Sequence, residues 1–355
     1  MNERISTLSH LILPLLEWFR DNQRTLPWRS DPTPYHVWVS EIMLQQTRVA
    51  AVLGYYRRFM EALPTVADLA QVEEDQLLKL WQGLGYYNRA RNLQKAARQI
   101  MEQFGGQFPR SYPALLSLAG VGDYTAGAIA SIAFGLPEPA VDGNVLRVVT
   151  RITGDPSDIS QAATKKVIRA ALAEVIPLQA PGDFNQALME LGALVCLPNG
   201  APDCAHCPAH GFCAAHLTGK TAQIPVKGAK KPRKIEERTV YLLFHCGQVA
   251  LRRRPATGLL AGLWEFPHVE GELDEAAAAA QLAEWHVTPL RWEQILHAKH
   301  EFTHLRWRMT GYLRTAAGEG EPDWLWADAA ARQQRAIPSA FQVFTAALDG
   351  STAEE

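Results

Sequence analysis

The chain has no apolar run approaching the roughly 20 residues that a helix needs to cross a bilayer. Its opening residues, MNERISTLSH, carry neither a basic leader nor a small-residue cleavage site. Membrane-spanning and exported classes are set aside, and a soluble intracellular protein is expected. A surplus of charge is also missing: 35 Lys and Arg stand against 37 Asp and Glu, a net charge of −2. Any contact with nucleic acid must then come from a local basic face, because the total supplies none. Cysteine is scarce, and four of the five (Cys196, Cys204, Cys207 and Cys213) fall within eighteen residues. That clustering excludes a disulfide framework spread along the chain and points to a metal. Cys246 stands apart in an apolar stretch and reads as a small core residue.

A chain of 355 residues, 47% hydrophobic, has material for two domains. From residue 5 to about 217 the apolar spacing is helical, beginning with Ile5, Leu8, Leu11, Ile12, Leu15, Leu16 and Phe19, with a bend or break expected at Pro14. The segment SEIMLQQTRVAAVLGYYRRFM (40–60) reads as one further helix. Residues 219–238 hold seven Lys or Arg against two Glu, the composition of an exposed linker. Beyond it, RTVYLLFHCGQVALRRR and HAKHEFTHLRWRMTGYL read as strands around the helical LDEAAAAAQLAEW. The expected organisation is an all-α domain over 1–218 with the cysteine loop at 196–213, a linker over 219–237, and an α+β domain over 238–350.

Two carboxylates invite a chemical reading. In LAGVGDY the glycines at 120 and 122 allow a tight hairpin that exposes amides at the next helix's N-terminus, a place for a phosphate oxygen. Asp142, in AVDGNVLRV, is placed to cap the following helix, and the same position faces whatever the hairpin grips. Glu41, in WVSEIMLQQT, reads either as a capping-turn glutamate beside Ser40 or as a carboxyl in apolar surroundings, whose raised pKa keeps a proton available near neutrality.

Together LPWR (26–29), SEIMLQQT (40–47), GLGYYNRARNL (83–93), LAGVGDYTA (118–126), VDGNV (141–145) and the four-cysteine loop resemble the helix-hairpin-helix DNA glycosylase superfamily, and within it the MutY-type adenine DNA glycosylases. The resemblance implies base excision repair: hydrolysis of the N-glycosidic bond of a flipped adenine that was paired with 8-oxoguanine or guanine in double-stranded DNA. It implies that Glu41 protonates the adenine, that Asp142 stabilises the sugar cation, and that Asn144 sets the aspartate's environment. Arg29 and Gln186 match positions that contact the adenine. Gln46 and Tyr86 match wedges into the base stack, with Thr47 and Leu84 beside the lesion. Arg89 and Arg91 read as phosphate contacts or as a solvated helix face. Lyase relatives carry a lysine two residues after the second hairpin glycine. Here that residue is Tyr124, which cannot form an imine, so a monofunctional glycosylase is expected. A bacterial-type cytoplasmic monomer, associated with the nucleoid through DNA, completes the expectation.

CLPNGAPDCAHCPAHGFC spaces its cysteines C-x7-C-x2-C-x5-C. Four thiolates suit a 4Fe-4S cluster, the family's cofactor, or a zinc ion. The usual first gap in the family is six residues. The C-terminal part resembles the family's Nudix-like domain but lacks the glutamate-rich helix that holds metal in Nudix hydrolases, so a lesion reader is expected there. Phe302, Thr303 and His304 stand where the family usually has Phe-Ser-His, which assigns lesion recognition to Thr303 and His304.

Overall fold

The computed structural model describes residues 3–228 and 232–351; residues 229–231 of the expected linker lie outside them. Helix α1 (Glu3–Asn22) buries Leu8, Leu11, Leu15 and Phe19, the stripe an amphipathic helix turns toward a core. It runs unbroken through Pro14, contrary to expectation. The carbonyl that loses its donor there belongs to His10, an exposed residue.

The chain continues through α2 (Pro27–Ser30), α3 (Pro34–Leu44), α4 (Val49–Ala62), α5 (Val66–Gln71), α6 (Glu74–Trp81), α7 (Asn88–Phe104), α8 (Tyr112–Leu116) and α9 (Asp123–Ala128). A π-helical turn (Ile129–Ala133) extends α9, and α10 (Gly143–Thr153), α11 (Ala162–Val175), α12 (Pro181–Leu194) and α13 (Ala214–Leu217) follow. The N-terminal half is all-α. The segment 40–60 is two helices, α3 and α4, because Gln46 turns to φ 59 and the Thr47 amide closes onto Leu44. Apolar faces of α1, α10, α11 and α12 share one core, with Val148, Leu172, Leu188 and Leu191 fully buried.

Two compact units divide the chain. One holds residues up to Gln71 and those from Asn92 through the rest of the helical half. The other joins Val72–Arg91 to the C-terminal part. Residues 72–91, read from sequence as part of the N-terminal domain, are fastened within this second unit by Gln82 Nε2 donating to the Ile337 carbonyl (2.8 Å) and Arg91 Nη2 to that of Ala261 (2.6 Å). In the first unit, the expected linker is not loose over 219–228. Ile224 is buried and its carbonyl accepts from Arg151 Nε at 2.7 Å.

The second unit is built on one seven-stranded mixed sheet: β1 (Lys234–His245), β2 (Gln248–Arg253), β3 (Trp264–Glu265), β4 (His268–Glu270), β5 (Thr288–Glu301), β6 (Leu305–Ala317) and β7 (Trp324–Ala327). Its main path is β3-β2-β1-β6-β5, with β1 parallel to β6, while β4 pairs with β1 and β7 with β2. Strand β1 starts inside the span read as linker. Alternation along it sends Tyr241 and Leu243 onto Ala278 and Leu282 of α14 (Glu275–Glu284). Val240 and Leu242 face the other way, in a core with Phe341, Phe344 and Leu348 near the C-terminus. Cys246 is exposed, not core: the apolar run is two strands, and Cys246 (φ 49) and Gly247 (φ 74) form the tight turn joining them.

Candidate active site

The hairpin glycines have different reasons to exist. Gly120 sits at φ 72, and a Cβ there would lie 2.6 Å from Asn92 Cβ, so only glycine fits. Gly122 is extended (φ −100, ψ −178), a conformation open to any residue, which corrects the expectation that both needed special angles. It caps α9 with no side chain over the first amides, and nothing lies within 4 Å of where its Cβ would be.

The small residues of α9 answer a packing demand. A Cβ at Gly127 would stand 2.3 Å from the Pro139 carbonyl oxygen, so the segment leading to Asp142 lies directly on this helix. From α12, Gly192 makes room for the residue two past the aspartate: its Cβ would meet Asn144 Cβ at 2.6 Å. Gly192→Ala is expected to destabilise the fold by about 1–3 kcal/mol, the usual cost of an overfilled core, read as a lower midpoint in urea.

Asp142 caps α10. Its Oδ1 accepts from the Val145 amide (2.8 Å) and its Oδ2 from Asn144 Nδ2 (2.7 Å). The capping role foreseen for it is therefore present. Burial raises its pKa, and those hydrogen bonds work against the rise. Glu41 is no capping glutamate: α3 is capped by Thr33, and Glu41 sits in its interior, 6% exposed. Burial pushes its pKa up to about 7; the bond from Tyr124 and the charge of Arg29 pull down, while the charge of Asp142 adds to the rise. Tyr124 donates its hydroxyl proton to Glu41 Oε2, and Met189 Sδ lies 3.2 Å from the same hydroxyl. Burial first, then the fields of Glu41 and Asp142, raise the phenol far above its usual range. Three residues distant in sequence thus share one electrostatic site.

Arg29 donates through Nε to Gln186 Oε1 (3.0 Å) and through Nη1 and Nη2 to the two oxygens of Glu190 (3.1 and 2.9 Å). Glu190, one turn after Gln186 on α12, is 1% exposed and also binds Arg24. Burial pushes Glu190 up, yet the bonds from Arg24 and Arg29 outweigh it and hold its pKa down at about 2. Sequence reasoning missed this residue. Its signal was a lone acid in the apolar NQALMELGALV, four positions after Gln186.

The four clustered cysteines line one cavity of about 380 Å³ counting its open mouth, joined by Arg151, His210 and His216. Among the described residues, no three His, Cys, Asp or Glu side chains are grouped closely enough to hold a single ion. Burial pushes Cys207 up to about 12 and the neighbouring thiols add to the rise, so anionic sulfur here calls for a cationic partner. The seven residues of the first gap form a loop without helix or strand, with Gly200 at φ 76. Helix α10 connects this cavity to the carboxylates. Arg147, on its second turn, donates to Asn144 Oδ1 (2.9 Å) and to the Cys196 carbonyl (2.7 Å), and Arg151 Nη1 lies 3.3 Å from Cys196 Sγ.

Gln46, in the first unit, is exposed at φ 59, a region in which side-chain-bearing residues are uncommon. Thr47 beside it is half-buried. In the second unit Tyr86 is also left-handed (φ 48) and 49% exposed. Strain of this kind concentrates at functional sites. Leu84 is 6% exposed. Arg89 is buried too and holds the turn, donating Nη2 to the Leu84 and Gly85 carbonyls (2.9 and 3.1 Å); it is neither a phosphate contact nor a solvated face. Arg91 pairs with Glu74 at 2.7 Å. Thr303 and His304 are exposed between β5 and β6, and Thr303 Oγ1 lies 2.6 Å from the Tyr86 hydroxyl. Phe302 packs edge-on to Trp307, anchoring the loop.

A model of the "HhH-GPD superfamily base excision DNA repair protein" family matches residues 39–177, and a NUDIX domain model matches 239–347. The chain is 37% identical to the human adenine DNA glycosylase over 82% of its own length, and 36% identical to the rat protein over 86% of its own length and 70% of the relative's. The chain belongs to the adenine DNA glycosylase family. It spans 64% of the length of the human member. Solved structures similar to its helical part include a thermostable thymine-DNA glycosylase (28% identity, TM-score 0.55) and a trapped endonuclease III–DNA covalent intermediate (26%, 0.52). Each likeness covers 61% of this chain and 98% of the other. Adenine DNA glycosylase family membership accounts for the pairing of a helix-hairpin-helix half with a Nudix-like one. Among the described residues no helix is long and apolar enough to cross a membrane.

Proposed function

We propose that the chain excises adenine from double-stranded DNA in which the base is paired with 8-oxoguanine or guanine, hydrolysing the N-glycosidic bond and leaving an abasic site. The observation that carries this reading is the buried Glu41, poised near pKa 7 and electrostatically coupled to Asp142. A carboxyl titrating there holds a transferable proton at neutral pH. Glu41 gives that proton to the adenine ring, making the base a better leaving group, while Arg29 and Gln186 fix its edge. Asp142, held by Val145 and Asn144, stabilises the positive charge that grows on the sugar as the bond breaks; water then completes the hydrolysis. Two acidic groups in unlike surroundings divide acid and stabiliser roles in other enzymes by the same logic. Tyr124 stands where a lyase needs an amine, so no imine forms; adenine is released and the sugar stays in the DNA backbone as an abasic hemiacetal.

Gln46 and Tyr86 replace stacking lost when the adenine leaves the helix, Thr47 lies beside the opposite base, and Thr303 and His304 read it. Gly120 and Gly122 present the hairpin backbone to a phosphate. Cys196, Cys204, Cys207 and Cys213 hold a 4Fe-4S cluster, for which four thiols in one cavity beside a buried arginine are a suitable donor set. Its contribution is structural, tying the loop to α10. Cys204→Ser is expected to lose iron, broad visible absorption and folded yield; stoichiometric zinc without iron in the parent protein overturns the cluster reading.

The function is tested with end-labelled duplexes carrying A opposite 8-oxoguanine, A opposite G, and T opposite G. Breaks at adenine that appear only after alkali are expected. Breaks at thymine, or breaks before alkali that borohydride traps as a protein adduct, contradict the proposal.

A further inference from the structure

We propose that Glu190 is a positioning residue for adenine excision: it locks the Arg29 guanidinium toward Gln186 and cancels the arginine's charge beside Glu41. The inference rests on the adenine reading above. Both Glu190 oxygens are fully engaged. Oε1 accepts from the Arg24 amide (2.9 Å), Arg24 Nε (2.8 Å) and Arg29 Nη1 (3.1 Å), and Oε2 from Arg24 Nη2 (2.7 Å) and Arg29 Nη2 (2.9 Å). With two nitrogens of Arg29 clamped, its Nε is left to Gln186 Oε1 at 3.0 Å. That contact turns the Gln186 amide N–H group away from the arginine and toward any base in the site. Clamp and glutamine stand four residues apart on α12, hence on one face.

The clamp also has an electrostatic consequence. Glu41 is faced by Tyr124 from α9, Asp142 from the cap of α10, and Arg29 from α2, whose charge favours the ionised carboxylate. Glu190 is faced by Arg24 and Arg29. Without its negative charge two arginines stand uncompensated, the pull that Arg29 already exerts on Glu41 grows, and the proton needed by the adenine is lost at lower pH.

The test measures single-turnover adenine release from A:8-oxoguanine duplex between pH 5.5 and 9 for the parent, Glu190→Gln and Glu190→Asp, with duplex affinity measured alongside. Glu190→Gln should bind the duplex as the parent does, release adenine more slowly even near pH 6, and lose activity about one pH unit earlier on the alkaline side. A displacement of one unit leaves it about tenfold slower at pH 8. Glu190→Asp, with its charge one methylene further from the arginines, should move the same limb by less. If Glu190→Gln does not fold, the Asp variant carries the test. A limb at the parent's position, including a loss uniform at every pH, overturns the proposal. A parent that releases no adenine overturns the adenine reading instead, and this inference with it.

Discussion

Asp142→Asn should bind lesion duplex nearly as the parent does and release adenine at least about a hundredfold more slowly, the scale of losing a transition-state charge stabiliser. The substitution isolates charge from architecture. Asparagine caps helices about as well as aspartate, so the bond to the Val145 amide survives and α10 keeps its start. The contacts of Gly127 with Pro139 and of Gly192 with Asn144, which place the loop, involve no atom that changes. What disappears is the negative charge, together with the bond from Asn144 Nδ2, which an amide NH2 cannot accept. Single-turnover rates with matched binding isotherms check this; comparable turnover by variant and parent removes Asp142 from the mechanism.

Glu41→Gln should lose activity by a similar or larger factor, about 10² to 10⁴ for a general acid, and should at the same time stabilise the fold above neutrality. Folded, Glu41 keeps its proton up to about pH 7, against an ordinary value of 4.5. Its contribution to stability is therefore intact below pH 4.5 and is lost as pH rises through 7, where a bare carboxylate must stay buried. The 2.5-unit rise corresponds to about 3 kcal/mol at pH 8. Glutamine carries no such penalty. Urea melts should show the variant more stable than the parent at pH 8, with the gain almost gone at pH 4.5. Equal stability at both pH values would mean that the buried carboxyl is not strained toward its neutral form.

Much of this architecture was legible in the sequence, because its signals are local. Helical spacing of Leu8, Leu11, Leu15 and Phe19 marks a core face wherever the helix ends up, and alternation through TVYLLF marks a strand. The catalytic candidates were visible through motif context, with Asp142 at a helix start and Glu41 among apolar neighbours. What escaped depends on pairings across the fold. Glu190 binds arginines 166 and 161 residues away, and nothing in its own neighbourhood names them. Arg89 was misread because its acceptors are backbone carbonyls of a turn that exists only once Gly83, Gly85 and Tyr86 take positive φ. Cys246 was misplaced because composition cannot show where an apolar run folds back. Gly120 and Gly122 looked alike in sequence, and the positive φ of Gly120 and the approach of Asn92 to it separate them.

The central claim is that one buried carboxylic acid supplies the proton while a second, hydrogen-bonded carboxyl group faces the sugar. The pH dependence of single-turnover adenine release tests it most directly. Release by the parent should decline as pH rises through about 7, and the residual activity of Glu41→Gln should show no such decline. A parent rate that stays flat from pH 6 to 8, or a decline that persists in Glu41→Gln, contradicts the account.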